Sequence, residues 1–374
     1  MFASRDESLE IDPQDTRLDV RRVEKIAKKI ASAASRPWTI MEVCAGQTRT
    51  LLEYDLRRYL PEKLRLVHGP GCAICATPLA TIDRAIAISQ LENVVFCCSG
   101  ELLRLKGSDC DLLEMKARGA DVRVVHSPLD SLTLARKMPD KKVVFFTIGF
   151  ETKVELNALS VWQAKRLGLK NFYLLYSHPC VSAVCSRVLR TVDTPVKGIL
   201  SPGDVCSVTG TSEYERLSQK YGAPFVITGY QPFDLLEGIL SCVKFLESGK
   251  SGVKSQYERA ISRDGNQQAK ALISEVFEVK DREWRGIGNV ERGGYRMKSE
   301  FASYDAFSQF EVDVKSRADS PSCISNQILL GLKVPTDCPV FGNSCHPNSP
   351  QGATMVSNQG TCFTYYNFRH NHSA

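Results

Sequence analysis

Long hydrophobic runs are missing from this chain. The most apolar stretches, such as Val143 to Ile148, fall far short of the roughly 20 residues a membrane-spanning helix needs. The opening MFASRDESLEIDP lacks the basic-then-apolar order of a secretory signal, so the expectation is a cytoplasmic protein that engages no membrane. Blocks of one charge sign, and basic residues interleaved with aromatics, are also absent, so nucleic acid is not an expected partner. The 48 basic and 42 acidic residues leave a mild net charge of +6. Arg21, Arg22, Lys25, Lys28 and Lys29 fall among apolar positions at helical spacing, as the solvated face of a helix does. Low-complexity tracts and short internal repeats do not occur, which excludes solenoids and disordered tails as the main architecture.

What is present is ordinary globular material with one excess. With 374 residues, 43% of them apolar and 24% charged, the chain is long enough for two or three domains with cores of their own. Val20, Val23, Ile26, Ala27, Ile30 and Ala34 repeat at the three-four spacing of an amphipathic helix. Short β-rich runs then alternate with helical stretches: WTIMEV, RLV, NVVF, VRVVHS, KVVFFTI, NFYLLYS, GILS and PFVITG. That alternation predicts an α/β fold with parallel sheets and right-handed crossovers. Cuts near Asp140 and near Gly249 divide it into two parallel-sheet α/β domains, 1–140 and 141–249, and a C-terminal part, 250–374. From residue 283 onward the chain is rich in Gly, Ser, Asn and Pro, so its order depends on something other than a large core.

The excess is cysteine, fourteen in all. A reducing compartment does not allow a default disulfide framework, so some of these thiols are expected to bind metal or do redox chemistry. Cys44 follows the strand WTIMEV and opens a helix; Cys72 and Cys75, in GPGCAIC, follow RLVHG and open another. Ligands gather at the carboxyl ends of parallel strands, and helix N-termini favour thiolates there. The Cys-x-x-Cys spacing suits a reversible disulfide or a shared metal with Cys44 as third ligand. Glu42, Glu101 and Glu151 are candidates for handling protons, with Glu151 placed after the strand that ends at Ile148, and His68 precedes the Gly-Pro-Gly turn. Cys97, Cys98, Cys110, Cys180, Cys185, Cys206 and Cys242 lie in or beside apolar segments and read as buried packing, with one of Cys97 and Cys98 a candidate to line the cleft.

The tail carries Cys323, Cys338, Cys345 and Cys362, with intervals of fourteen, six and sixteen residues. Four thiols in a core-poor segment suggest a structural metal or cluster. None of the intervals matches a short zinc knuckle, which favours iron-sulfur over zinc, although spacing alone leaves both open.

Several of these segments resemble those of the hydrogenase maturation family HypD. MEVCAGQTRT, HGPGCAICATP, TIGFETK, WRGIG, the stretch around Tyr257, Arg259, Gly265 and Asn266, and the tail DCPVFGNSCHPNSPQGATMVSNQGTC carry the likeness, in register from about residue 20 onward. The resemblance implies a third, C-terminal domain in which Cys323, Cys338, Cys345 and Cys362 hold a 4Fe-4S cluster. It also implies a scaffold that binds iron at Cys44, Cys72 and Cys75 and builds an Fe(CN)2CO unit there, working with a HypC-like small chaperone and a HypE-like cyanide donor. Departures accompany the likeness. Two histidines of the family pattern are Gln47 and Arg49 here, its GHV and GFEP segments read Gly203-Asp204-Val205 and Gly229-Tyr230-Gln231-Pro232, a late glutamate is Gln359, and an extra redox pair is replaced by Ser325 and Thr354. Three readings therefore stand: a divergent scaffold of this kind, a paralogue serving another iron or redox pathway, and a structural zinc protein.

Overall fold

The computed structural model describes residues 19–256 and 260–368; Tyr257 and Arg259, part of the resemblance, lie outside the described residues. Nine strands build two parallel sheets. They are β1 (Trp38–Glu42), β2 (Leu64–His68), β3 (Val94–Cys98), β4 (Val122–Val124), β5 (Lys142–Ile148), β6 (Phe172–Ser177), β7 (Gly198–Pro202), β8 (Phe225–Thr228) and β9 (Val253–Ser255). The first sheet has the order β2-β1-β7-β8-β9 and the second β4-β3-β5-β6. Every pairing within them is parallel, which is the expected α/β class.

The path of the chain differs from a simple succession of domains. It starts the first sheet with β1 and β2, leaves to build all of the second, and returns at β7, where Ile40 of β1 lies opposite Gly198. The cut near Asp140 therefore falls inside the second sheet, because β5 pairs with β3, Val144 opposite Phe96. The cut near Gly249 precedes β9, which extends the first sheet with Val253 opposite Phe225. A β-α alternation looks the same along both sheets, and only hydrogen-bond pairing reveals which strands belong together.

Burial on both faces explains why these strands read as continuous apolar runs. In β3, Val95 and Cys97 point to a core shared with Val154, Ala158 and Val161 of the helix Glu151–Arg166. Phe96 and Cys98 point the other way, to Ile82, Ile86 and Phe146. Each fully buried phenylalanine contributes on the order of 1.5–3 kcal/mol by removal from water. The helix Val20–Ala33 is capped by Asp19, whose side chain accepts the Arg22 N–H. Its buried stripe, Val23, Ile26 and Ile30, packs on Leu235, Ile239 and Val243 of the helix Pro232–Glu247.

Glu247 ties that layer to the start of β1. Its carboxylate accepts the Ser35 N–H at 2.7 Å, the Ser35 hydroxyl at 2.5 Å and the Trp38 indole N–H at 2.7 Å. The Ser35 hydroxyl and the Trp38 indole, donating to it, pull its pKa down to about 2. A depressed carboxylate pKa stabilises the fold above the ordinary value of about 4.3, and that contribution is lost as pH falls toward the folded value. The thermal midpoint is expected to drop between about pH 5 and pH 2 with a change in Trp38 emission, and Glu247→Gln should remove this part of the pH dependence.

Beyond β9 lies an element the sequence does not announce, an antiparallel ribbon of β10 (Phe277–Trp284) and β11 (Gly288–Met297). Its charged exposed face, Lys280 and Glu283 among it, hides the alternation that marks a strand. Trp284 is fully buried and donates its indole N–H to the Gly293 carbonyl at 2.8 Å, and the next residue, Arg285, donates its N–H to Ala76 at 2.9 Å. From Ser299 to Phe368 there are only short helices and turns, as the composition predicts. Among the described residues no helix is long and apolar enough to cross a membrane.

Candidate functional site

The carboxyl ends of β1, β7 and β8 in the first sheet face those of β3 and β5 in the second. Between them is a cleft of about 590 Å³, lined by Cys44, Arg49, Glu101, Lys153, Asp204 and Tyr230 and reached from the tail by Asn358 and Gln359. Loops at strand carboxyl ends are where parallel sheets place ligands.

Cys44 caps the helix Ala45–Glu53 in extended conformation and is half-buried. Its thiol donates to the Tyr230 hydroxyl at 3.6 Å, and Tyr230 donates in turn to the Asp204 carboxylate. Burial pushes the Cys44 thiol up to about 11, with Asp204 and Glu42 adding to the rise and Tyr230 opposing it. The helix N-terminus was expected to favour the thiolate; loss of hydration outweighs it.

The turn before Cys72 brings the second cysteine pair against this corner. A Cβ on Gly71 would overlap the backbone of Cys44, and the Ala45 N–H donates to the Gly71 carbonyl at 3.1 Å. Glycine is required there because two backbones touch. Cys72 caps the helix Ala73–Ala76, its sulfur accepting the Cys75 N–H at 3.1 Å, and the two sulfurs form a disulfide with Cα atoms 5.2 Å apart. The pair does not open into the cleft with Cys44. It faces a narrow crevice on the far side of Gly71, closed by Thr48, Leu329, Thr354 and Thr361. Gly360 also comes close to the pair, since a Cβ there would sit 3.1 Å from the Cys75 sulfur.

Beneath Cys44 runs a buried polar network. Glu42, at the end of β1, accepts the Cys44 N–H at 3.2 Å, the Thr48 hydroxyl at 2.5 Å and His68 Nδ1–H. Arg57 can only donate, and it donates to His68 Nε2 at 2.8 Å, so the imidazole carries its proton on Nδ1. The Tyr365 hydroxyl lies 2.7 Å from the same Nε2. Burial pushes the Glu42 carboxyl well above the usual carboxylate range, against the pull of Thr48, the Cys44 N–H and Arg57. Through Tyr365, on the helix Thr361–Asn367, this network joins β1 and β2 to the tail.

Of the tail thiols, Cys362 lies on that helix. Cys345 and Cys362 share an apolar floor with Ile328 and Met355. The Cys362 sulfur accepts the Thr354 hydroxyl at 3.0 Å, and the Gln351 N–H points at Cys345 at 3.5 Å. Cys323 abuts Gly352. Burial raises the Cys362 thiol to about 12, with Thr354 pulling it down and Cys323, Cys345 and Cys338 pushing it further up. Among the described residues no group of three or more Cys, His, Asp or Glu is drawn close enough to hold a metal ion as it stands.

Other candidates are placed elsewhere. Glu151 is buried with one oxygen accepting the Val181 N–H at 2.9 Å, and it lines a separate cavity of about 420 Å³ with Cys180 and Tyr295. Burial raises its carboxyl to about 7. Glu101 does line the cleft, 3.3 Å from Lys153. Cys97 and Cys98 are both fully buried in cores on opposite faces of β3, and neither lines the cleft. Gln47 turns away from the cleft to donate to Thr228 at 2.7 Å, and Arg49 pairs with Glu53 at 3.0 Å. Tyr230 and Asp204, which touch the Cys44 thiol in series, stand in the sequence only as departures from a pattern. Their signal was position: both follow strands at the same sheet edge as Cys44.

Comparison with known proteins agrees with this geometry. Residues 21–369 match the family model HypD, described as the hydrogenase formation hypA family. The hydrogenase maturation factor HypD of Escherichia coli is 36% identical over 362 residues, 96% of this chain and 97% of that protein. Its counterpart in Azotobacter vinelandii is 38% identical over 351 residues, 91% and 93% of the two chains, and that of Cupriavidus necator 36% identical over 358 residues, 92% and 94%. A match that spans both sheets, the cleft and the tail in one register leaves a single conclusion: the chain belongs to the HypD family.

Proposed function

We propose that this chain is a hydrogenase maturation factor whose cleft receives iron at Cys44 and whose Cys72–Cys75 pair cycles between disulfide and dithiol beside it. The observation that carries the reading is the position of the disulfide, between the Cys44 corner, which it meets through Gly71, and the tail, which it meets at Gly360 and Thr354. Thr354 touches both the crevice of the disulfide and the Cys362 sulfur. A thiol pair so placed can exchange electrons with either side without moving far.

Cys323, Cys338, Cys345 and Cys362 fit a 4Fe-4S cluster by kind: four thiols, an apolar floor, and O–H and N–H groups aimed at sulfur. Such a cluster, when bound, supplies one-electron redox chemistry. The protein's own residues do the rest. Gly71 keeps Cys44 and the disulfide adjacent, Glu42 fixes the Cys44 backbone, and Asn358 and Gln359 close the cleft from the tail. The iron is cargo, built up as Fe(CN)2CO with a HypC-like chaperone and a HypE-like cyanide donor. A second reading, a paralogue in another iron pathway, draws support from Gln47 and Arg49, neither of which offers an imidazole to the cleft.

Infrared spectra of protein purified anaerobically from cells that produce the partner proteins test this. Bands of metal-bound cyanide and carbonyl are expected, and Cys44→Ala should lose them while keeping the brown colour of the tail cluster. Bands absent from the unmodified protein would favour the second reading; a colourless protein carrying stoichiometric zinc would overturn both.

A further inference from the structure

We propose that Asp204 is a ligand to the iron held by Cys44, and that Tyr230 is the gate between them. The inference rests on the reading of Cys44 as the iron-binding thiol and names the donor that completes it.

The cleft offers few donors once its side chains are followed. Gln47 is committed to Thr228, Arg49 is a cation, and Glu101 lies against Lys153. Asp204 is different: exposed at the end of β7, it makes no ion pair among the described residues and is held only through the Tyr230 hydroxyl, which links it to the Cys44 sulfur. A metal bound at about 2.3 Å to sulfur and about 2.1 Å to oxygen needs its two donors within about 4.4 Å of each other. The Tyr230 hydroxyl now occupies the space between them.

Rotation of the Tyr230 side chain clears that space. Its backbone is pinned, the Tyr230 carbonyl accepting the Thr50 hydroxyl at 2.7 Å. Its ring rests on Gly46, where a Cβ would come within 2.7 Å of Cδ1, so the bare backbone there is what lets the hydroxyl reach the Cys44 sulfur. With the gate closed, the Cys44 sulfur and Asp204 are both engaged by the Tyr230 hydroxyl. With it open, one thiolate and one carboxylate face the cleft, the Cys44 proton leaves to solvent, and the remaining coordination positions stay free for ligands brought by partners.

Anaerobic titration with Co²⁺ tests the proposal, since thiolate-bound cobalt absorbs in the near ultraviolet. The cleft signal is the part of the spectrum that Cys44→Ala removes, which separates it from the tail thiols. Asp204→Asn should weaken that signal's affinity by about ten- to a hundredfold. Asp204→His, which offers nitrogen in place of oxygen, should recover most of it. Tyr230→Phe should bind at least as tightly as the parent, and faster. Parent affinity in Asp204→Asn, or a loss in Tyr230→Phe equal to that in Asp204→Asn, overturns the proposal while leaving Cys44 as the iron site. A spectrum unchanged in Cys44→Ala overturns the iron site and this proposal together.

Discussion

Replacing His68 with alanine is expected to lower the unfolding free energy by about 3–5 kcal/mol, the largest stability effect of any single polar residue in the site. The imidazole is the bridge between a guanidinium and a carboxyl, with Arg57 on Nε2 and Glu42 on Nδ1, and both His68 and Glu42 are about 1% exposed. Truncation opens a polar void between the half-buried Arg57 and the buried Glu42 and takes from both the group that bridges them. His68→Gln, which keeps one donor and one acceptor, should recover part of the loss. Tyr365→Phe removes only a neutral hydrogen bond and should cost about 1 kcal/mol. Denaturant unfolding of the three variants gives the ordering directly, and equal costs for His68→Ala and Tyr365→Phe would show that the imidazole does not bridge Arg57 and Glu42.

The second large effect concerns function with the fold intact. Cys72→Ser is expected to bring hydrogenase maturation to background in cells that depend on this protein, a loss of at least about a hundredfold, beyond the ten- to hundredfold typical of removing a supporting partner. A disulfide needs both sulfurs, so one serine ends the cycle instead of slowing it. The serine hydroxyl keeps the cap of the helix Ala73–Ala76, where the Cys72 sulfur now accepts the Cys75 N–H, so the fold should hold. Unchanged thermal unfolding together with lost maturation is the expected result. Near-normal maturation in Cys72→Ser would remove thiol exchange from the mechanism, and Thr354→Val, which leaves Cys362 without its O–H donor, then becomes the more informative variant.

These two residues mark how far the sequence can be read. Cys72 was legible because strand-to-helix grammar, a Gly-Pro-Gly turn and a Cys-x-x-Cys spacing are all local, and local geometry follows from local residues. His68 was visible only as a histidine before a turn. Its partners Glu42, Arg57 and Tyr365 come from three other elements, and Tyr365 is separated from it by 297 positions. Glu151 taught the opposite lesson. Its place after β5 promised the cleft, but the first turn of its helix aims the side chain into the neighbouring cavity with Cys180.

The sequence by itself determined the α/β class, every strand of both parallel sheets except β9, and the strand-to-helix corners that carry Cys44 and Cys72, because apolar run length, turn residues and helix starts are encoded in adjacent residues. Tertiary structure alone decided that the first sheet is interrupted by the second, that the Cys72–Cys75 pair turns toward the tail while Cys44 turns toward the cleft, and that Tyr230 and Asp204 converge on the thiol. Those outcomes depend on which strand edges pair and which backbones touch, and such long-range choices are made by the packing of the whole chain.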